Sequence, residues 1–159
     1  MKIEIICVGN LKEKYWREAA SEYEKRLGPY VQISIREIKE VRLPQNAGKA
    51  DEEMVKEKEG LAILEACAQG SELVALCIDG KKLTSEKFAG YFSEAAMSGK
   101  SHITFIIGGS LGLSSAVIKR ASLKLSFSDM TFPHQLMRVI LLEQIYRAYK
   151  IQRGEPYHK

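Results

Sequence analysis

Segments with the two-residue period of a strand alternate along the whole chain with segments whose apolar residues recur every three to four positions, and this alternation limits the fold more than any other feature. "KIEIICVG" places Ile3, Ile5 and Cys7 on one face and ends in a Gly9-Asn10 turn, as a first strand does. Between Lys12 and Leu27, the residues Tyr15, Trp16, Ala19, Ala20, Tyr23 and Leu27 mark a helix that stops at Gly28-Pro29. "VQISIREI" alternates again. After a polar loop, Asp51 reads as a helix cap with Glu52 and Glu53 behind it, and that helix runs to about Ala68. "ELVALCIDG" is continuously apolar, as a strand buried on both faces would be. A helix from Thr84 to Ser98 follows, burying Phe88, Tyr91, Phe92 and Ala95. "HITFIIGG" is the next strand, Ser114 caps a short helix, "LKLSFS" is the fifth strand, and a long helix runs from Pro133 to about Arg153. Such a pattern predicts one α/β domain over residues 1–159, with a mostly parallel sheet flanked by helices. Because knotted chains are rare, the pattern alone predicts an unknotted, doubly wound sheet.

The length of 159 residues suits a single core, and 45% hydrophobic with 28% charged residues is an ordinary soluble balance. No apolar run approaches the ~20 residues that span a bilayer. Glu4 and the alternation around it make the N-terminus a strand rather than a signal segment, so a cytoplasmic protein with no membrane partner is expected. Cys7, Cys67 and Cys77 sit in apolar runs without zinc-ligand spacing, which predicts buried thiols and no metal. A net charge of +4 is a mild bias towards polyanions.

"FIIGGSLGL" resembles a phosphate loop at first sight. Its glycines at 108, 109 and 112 fit neither the G-x-G-x-x-G spacing nor a Gly-Lys-Ser/Thr ending. Parallel sheets bind ligands beyond the carboxyl ends of their strands, and three such ends stand out: "LCIDG", "IIGGSLG" and "SFSDMTFPHQ". On the last helix, Met137, Val139, Leu141, Leu142, Ile145, Tyr146, Ala148 and Tyr149 cover an arc of roughly 200°. An arc that wide suits either a deep core or packing against a second copy. Arg138 falls inside it and is either half of a structural ion pair or a guanidinium facing substrate. The ending "RGEPYHK" combines an aromatic, an imidazole and cations, the side chains that single-stranded RNA asks for.

"MKIEIICVG", "LCIDG", "FIIGGSLGLS" and above all "LSFSDMTFPHQLMRVILLEQIYRAYKIQRGEPYHK" resemble the RlmH family, small SPOUT-class methyltransferases that methylate N3 of a pseudouridine in 23S rRNA. The resemblance spans the chain. It implies S-adenosylmethionine as methyl donor, a homodimer, a C-terminal trefoil knot, and 23S rRNA in the large subunit or the assembled ribosome as partner. It places cofactor contacts at Leu76, Gly108, Phe127, Ser128, Asp129, Met130, Thr131 and Phe132. Arg138, His134, Tyr157 and His158 are the candidate catalytic residues, the last two reaching either their own site or that of a second subunit. Two rival functions are a nucleotide-binding α/β enzyme with an atypical glycine loop, and a non-catalytic ribosome-associated RNA-binding protein.

Overall fold

The computed structural model describes residues 1–159. Ten elements alternate along it: β1 (Lys2–Val8), α1 (Lys14–Leu27), β2 (Gln32–Ile38), α2 (Lys49–Ala66), β3 (Glu72–Lys82), α3 (Ser85–Met97), β4 (His102–Ile107), α4 (Ser115–Arg120), β5 (Leu123–Ser126) and α5 (His134–Gln152). The strands form one sheet in the order β2-β1-β4-β3-β5, and every neighbouring pair is parallel. All carboxyl ends therefore point to the same edge.

Alternation along β1 explains how both faces are covered. Ile3, Ile5 and Cys7 join the larger core, packed under α1, α3 and α5; Ile6 and Val8 join a smaller core with Ile63 of α2 and Val117 of α4. Leu141, Leu142, Ile145 and Ala148 of α5 have no exposed surface within the single chain, because α5 lies between α1 and α3 and touches the sheet. The wide apolar arc is thus explained by neighbours in the same chain. Leu142 and Ile145 are core residues and no part of a surface open to a second copy.

The boundaries follow local chemistry. Thr84 accepts the Lys87 N–H at 3.2 Å and Ser114 accepts the Val117 N–H at 3.3 Å, so both serve as N-caps. Asp51 does not. Its helix begins two residues earlier, and its carboxylate reaches back to accept the Gly48 N–H at 2.9 Å. β3 continues past Gly80, with a break in register: Leu76 pairs with Leu125, then Lys81 pairs with Leu125 again, so residues 77–80 bulge out. Only its first half is buried, and Ile78 is exposed. Glycine is obligatory at position 80, since a Cβ there would stand 2.7–2.8 Å from the backbone of Lys124 and Leu125. Cys7 is buried, which pushes its thiol up to about 12. Cys67 and Cys77 are half-exposed, the latter because it sits on the bulge rather than within the ladder. No helix is long and apolar enough to cross a membrane.

Candidate active site

Strand register gathers the cofactor-contact candidates. Cys7 pairs with Ile107, Ala75 with Ile106, and Leu76 with Leu125. Gly9, Gly108, Leu76 and the segment after β5 consequently share the carboxyl edge of four adjacent strands. Leu76, Phe127 and Phe132 are half-buried, while Asp129, Met130 and Thr131 are exposed. The 127–132 segment is shaped by its own side chains: the Ser126 hydroxyl donates to the Ser128 carbonyl and the Met130 N–H donates to Ser128 Oγ, each at 3.0 Å. Asp129 pairs with Lys82 of the β3 extension, and the Phe127 ring lies 6.4 Å from Phe88.

The glycine loop is tight for a reason of its own. Gly109 and Gly112 form an isolated antiparallel bridge. A Cβ on Gly108 would lie 2.9 Å from the Gly112 carbonyl carbon and oxygen, and 3.0 Å from Leu113 Cδ2. A side chain there would strain the loop even with no ligand nearby, so glycine at 108 is required by the backbone itself. Gly112 adopts φ +84°, a conformation that other residues rarely take.

Of the four catalytic candidates, His134 opens α5 against the β1 turn, its Nε2 3.4 Å from where a Cβ on Gly9 would stand. It is half-buried, with no side-chain hydrogen bond. Arg138 lies one turn further on and is only 2% exposed. Its guanidinium donates to Glu37 at 2.6 Å and to the Gly9 carbonyl at 3.0 Å. It is therefore the buried half of an ion pair with Glu37, and it also lines a cleft beside Asn10, Leu11, Arg17 and Glu24. What it does is hold the β1 turn against β2 and α5.

The tail is ordered against its own chain. At Gly154 (φ +63°) the chain reverses and runs back along α5. Glu155 meets Lys150 and the Tyr30 hydroxyl. Tyr157 packs its ring on Tyr146 at 5.0 Å and on the Arg147 guanidinium at 4.8 Å, and donates to Glu143 at 3.3 Å. Burial pushes its phenol up to about 12, so it remains a donor. His158 Nε2 lies 2.8 Å from Glu86 at the start of α3, and its Nδ1 is 3.4 Å from Arg147. Glu86 is held down to about 2, first by its own backbone N–H and then by His158. His158 thus ends beside α3, which opens three residues beyond Lys82, the partner of Asp129 in the 127–132 segment.

Arg147 is a site neighbour that the sequence analysis does not single out. The Glu143–Arg147 pair, four residues apart and 2.6 Å in length, was the available signal. Glu86 gave none, because its contact with His158 spans 72 residues of sequence.

Comparison with known proteins agrees along the full length. A family model described as "Predicted SPOUT methyltransferase" matches residues 1–158. Proteins named ribosomal RNA large subunit methyltransferase H are similar to the chain over all 159 residues of both partners: 54% identical in Clostridium beijerinckii, 55% in Bifidobacterium adolescentis and 52% in Bacillus cereus. A solved structure of a probable methylase family protein from Haemophilus influenzae is only 11% identical, but shares the fold with a TM-score of 0.53 over 99% of this chain and 70% of that one. The chain belongs to the SPOUT methyltransferases, within their RlmH family.

Proposed function

We propose that residues 1–159 form one cytoplasmic methyltransferase domain that transfers a methyl group from S-adenosylmethionine to N3 of the pseudouridine at position 1915 of 23S rRNA. Identity above one half to large-subunit rRNA methyltransferases, with both chains covered end to end, is the observation that carries this assignment. The acceptor is carried by the large subunit or the assembled ribosome. The fold is completed by a trefoil knot at the C-terminal strands, and the working unit is a homodimer.

The carboxyl edge fits the donor. Half-buried Leu76, Phe127 and Phe132 offer apolar surface to an adenosine, and the tight glycine loop that begins at Gly108 brings backbone groups to the same edge. Asp129 to Thr131 supply polar and backbone groups for the amino-acid end. When bound, S-adenosylmethionine supplies a methyl on a sulfonium centre open to in-line attack. The protein's own part is to hold the nucleoside in line, which supplies much of the acceleration. It must also help the imide proton leave. His134, unengaged at the mouth of the edge, is assigned to receive it. Tyr157 and His158, braced by Arg147, are assigned to the target nucleotide.

Ribosomes from cells lacking the protein should accept label from S-adenosylmethionine, with the product mapping to N3-methylpseudouridine. RNA binding without any transfer would leave the non-catalytic rival standing, and binding of an adenine dinucleotide in place of the donor would favour the nucleotide enzyme.

A further inference from the structure

A second cleft lies on the α2 side of the glycine loop, with a volume of about 290 Å³, at the small end for ligand sites. Half of its lining is apolar, Val41 and Leu43 from the β2–α2 connection, Val55 from α2 and Leu111 from the glycine loop; Glu40, Arg42, Glu59 and Ser110 make up the polar half. Glu59 lines it and is only 4% exposed. One carboxylate oxygen accepts the Val41 N–H at 3.0 Å. The other has no hydrogen-bond partner and stands 3.4 Å from the position of a Cβ on Gly109, at the loop that borders the candidate active site. Arg42 is at the rim. Burial, and then the charge of nearby Glu40, hold the Glu59 carboxyl above its ordinary range against the opposing Val41 N–H.

We propose that this cleft receives an RNA base carrying an exocyclic amino group, an adenine or a cytosine next to the methylated nucleotide. The four apolar side chains suit the faces of a flat ring, and the free Glu59 oxygen accepts from the amino group, a pairing that carboxylates make with cytosine N4. Arg42 meets the accompanying phosphate. Uracil seated in the same way would set O4 where cytosine sets its amino group, and the carboxylate repels it. The inference rests on the proposed rRNA function and adds to it a base-reading position.

The full-length protein, saturated with S-adenosylmethionine, should be titrated with AMP, CMP and UMP while the amide resonances of Val55, Ser110 and Leu111 are followed. AMP and CMP should shift these resonances saturably, with UMP at least about tenfold weaker, as expected for one hydrogen bond to a charged group. Glu59→Gln keeps an acceptor for Val41 but turns an N–H group towards the cleft, and should abolish the preference. Ser110→Trp fills the cleft without altering α2 and should abolish binding; it decides the matter if the Gln variant does not fold. Equal affinity for the three nucleotides, equal shifts with n-butylammonium, or shifts lost once S-adenosylmethionine is saturating would each overturn the proposal. Methyl transfer to ribosomes by the same preparation keeps the two questions apart. Activity without nucleotide discrimination sinks only the cleft, whereas absence of transfer removes the function on which it rests.

Discussion

Two buried charges test what individual residues do. Arg138 is the more deeply buried partner in its pair, since Glu37 is 44% exposed. Removing Glu37 strands a cation in the interior, while removing Arg138 leaves a carboxylate that water can reach. Glu37→Ala should therefore destabilise the fold by about 3 kcal/mol, and Arg138→Met by only about 1 kcal/mol, chiefly through the lost bond to Gly9. Denaturant titration of both variants gives the order. A folded Arg138→Met protein with kcat abolished would give the guanidinium a role in the reaction beside its structural one. Glu59 behaves in the opposite sense. Its folded pKa is raised above 4.5, so the native state gains stability relative to neutral pH as the carboxyl becomes protonated, and loses it as pH rises through the folded value. Glu59→Gln should accordingly raise the melting temperature at pH 7, with the advantage shrinking towards pH 4.5. An advantage that grows on acidification would mean the carboxylate is stabilised where it lies.

At the scale of elements, α5 and the tail show what sequence can and cannot convey. The Ser114 cap, the span of α3 and the buried set Phe88, Phe92 and Ala95 were legible because each depends on residues within one turn. The surroundings of α5 were not. Its period shows how wide the apolar face is, but only the arrangement of α1 and α3 around it shows that one chain covers that face. Ile145→Glu should consequently unfold the monomer, where an interface residue would have yielded a folded one. Circular dichroism separates these outcomes. The tail is part of the packed structure: residues 154–159 carry the Glu155–Lys150 pair and the packing of Tyr157 on Tyr146 and Arg147. An aromatic pair and a cation–π contact each contribute about 0.5–1 kcal/mol. Truncation should lower the melting temperature by several degrees while S-adenosylmethionine affinity holds, and methyl transfer should fall by at least ~100-fold. Equal losses from a Tyr157→Phe variant, which keeps both stacking contacts, would assign the effect to the phenol rather than to the ring.

At the scale of the whole molecule, the question is what covers the carboxyl edge. Alternation predicts parallel strands and ligands beyond their ends, but it says nothing of strand order, which is set by the crossings from β2 to β3 and from β4 to β5. That order puts the β3 bulge beside the 127–132 segment. Ile78 on the bulge is 52% exposed, Met130 in that segment 74%, and Tyr15, early in α1 after β1, 60%. With Leu142 and Ile145 in the core, these are exposed apolar side chains that a second subunit could cover. If the homodimer forms across this edge, Tyr15→Asp combined with Ile78→Asp should give a folded monomer. Its melting temperature, extrapolated to low protein concentration, should match wild type, because neither side chain contributes to either core. Methyl transfer should be lost with the dimer if each site is closed by its partner. Sedimentation equilibrium at micromolar concentration is the decisive measurement. A wild-type chain that runs at 17.9 kDa would end the dimer proposal, and a double variant still dimeric would move the interface to another face of the molecule.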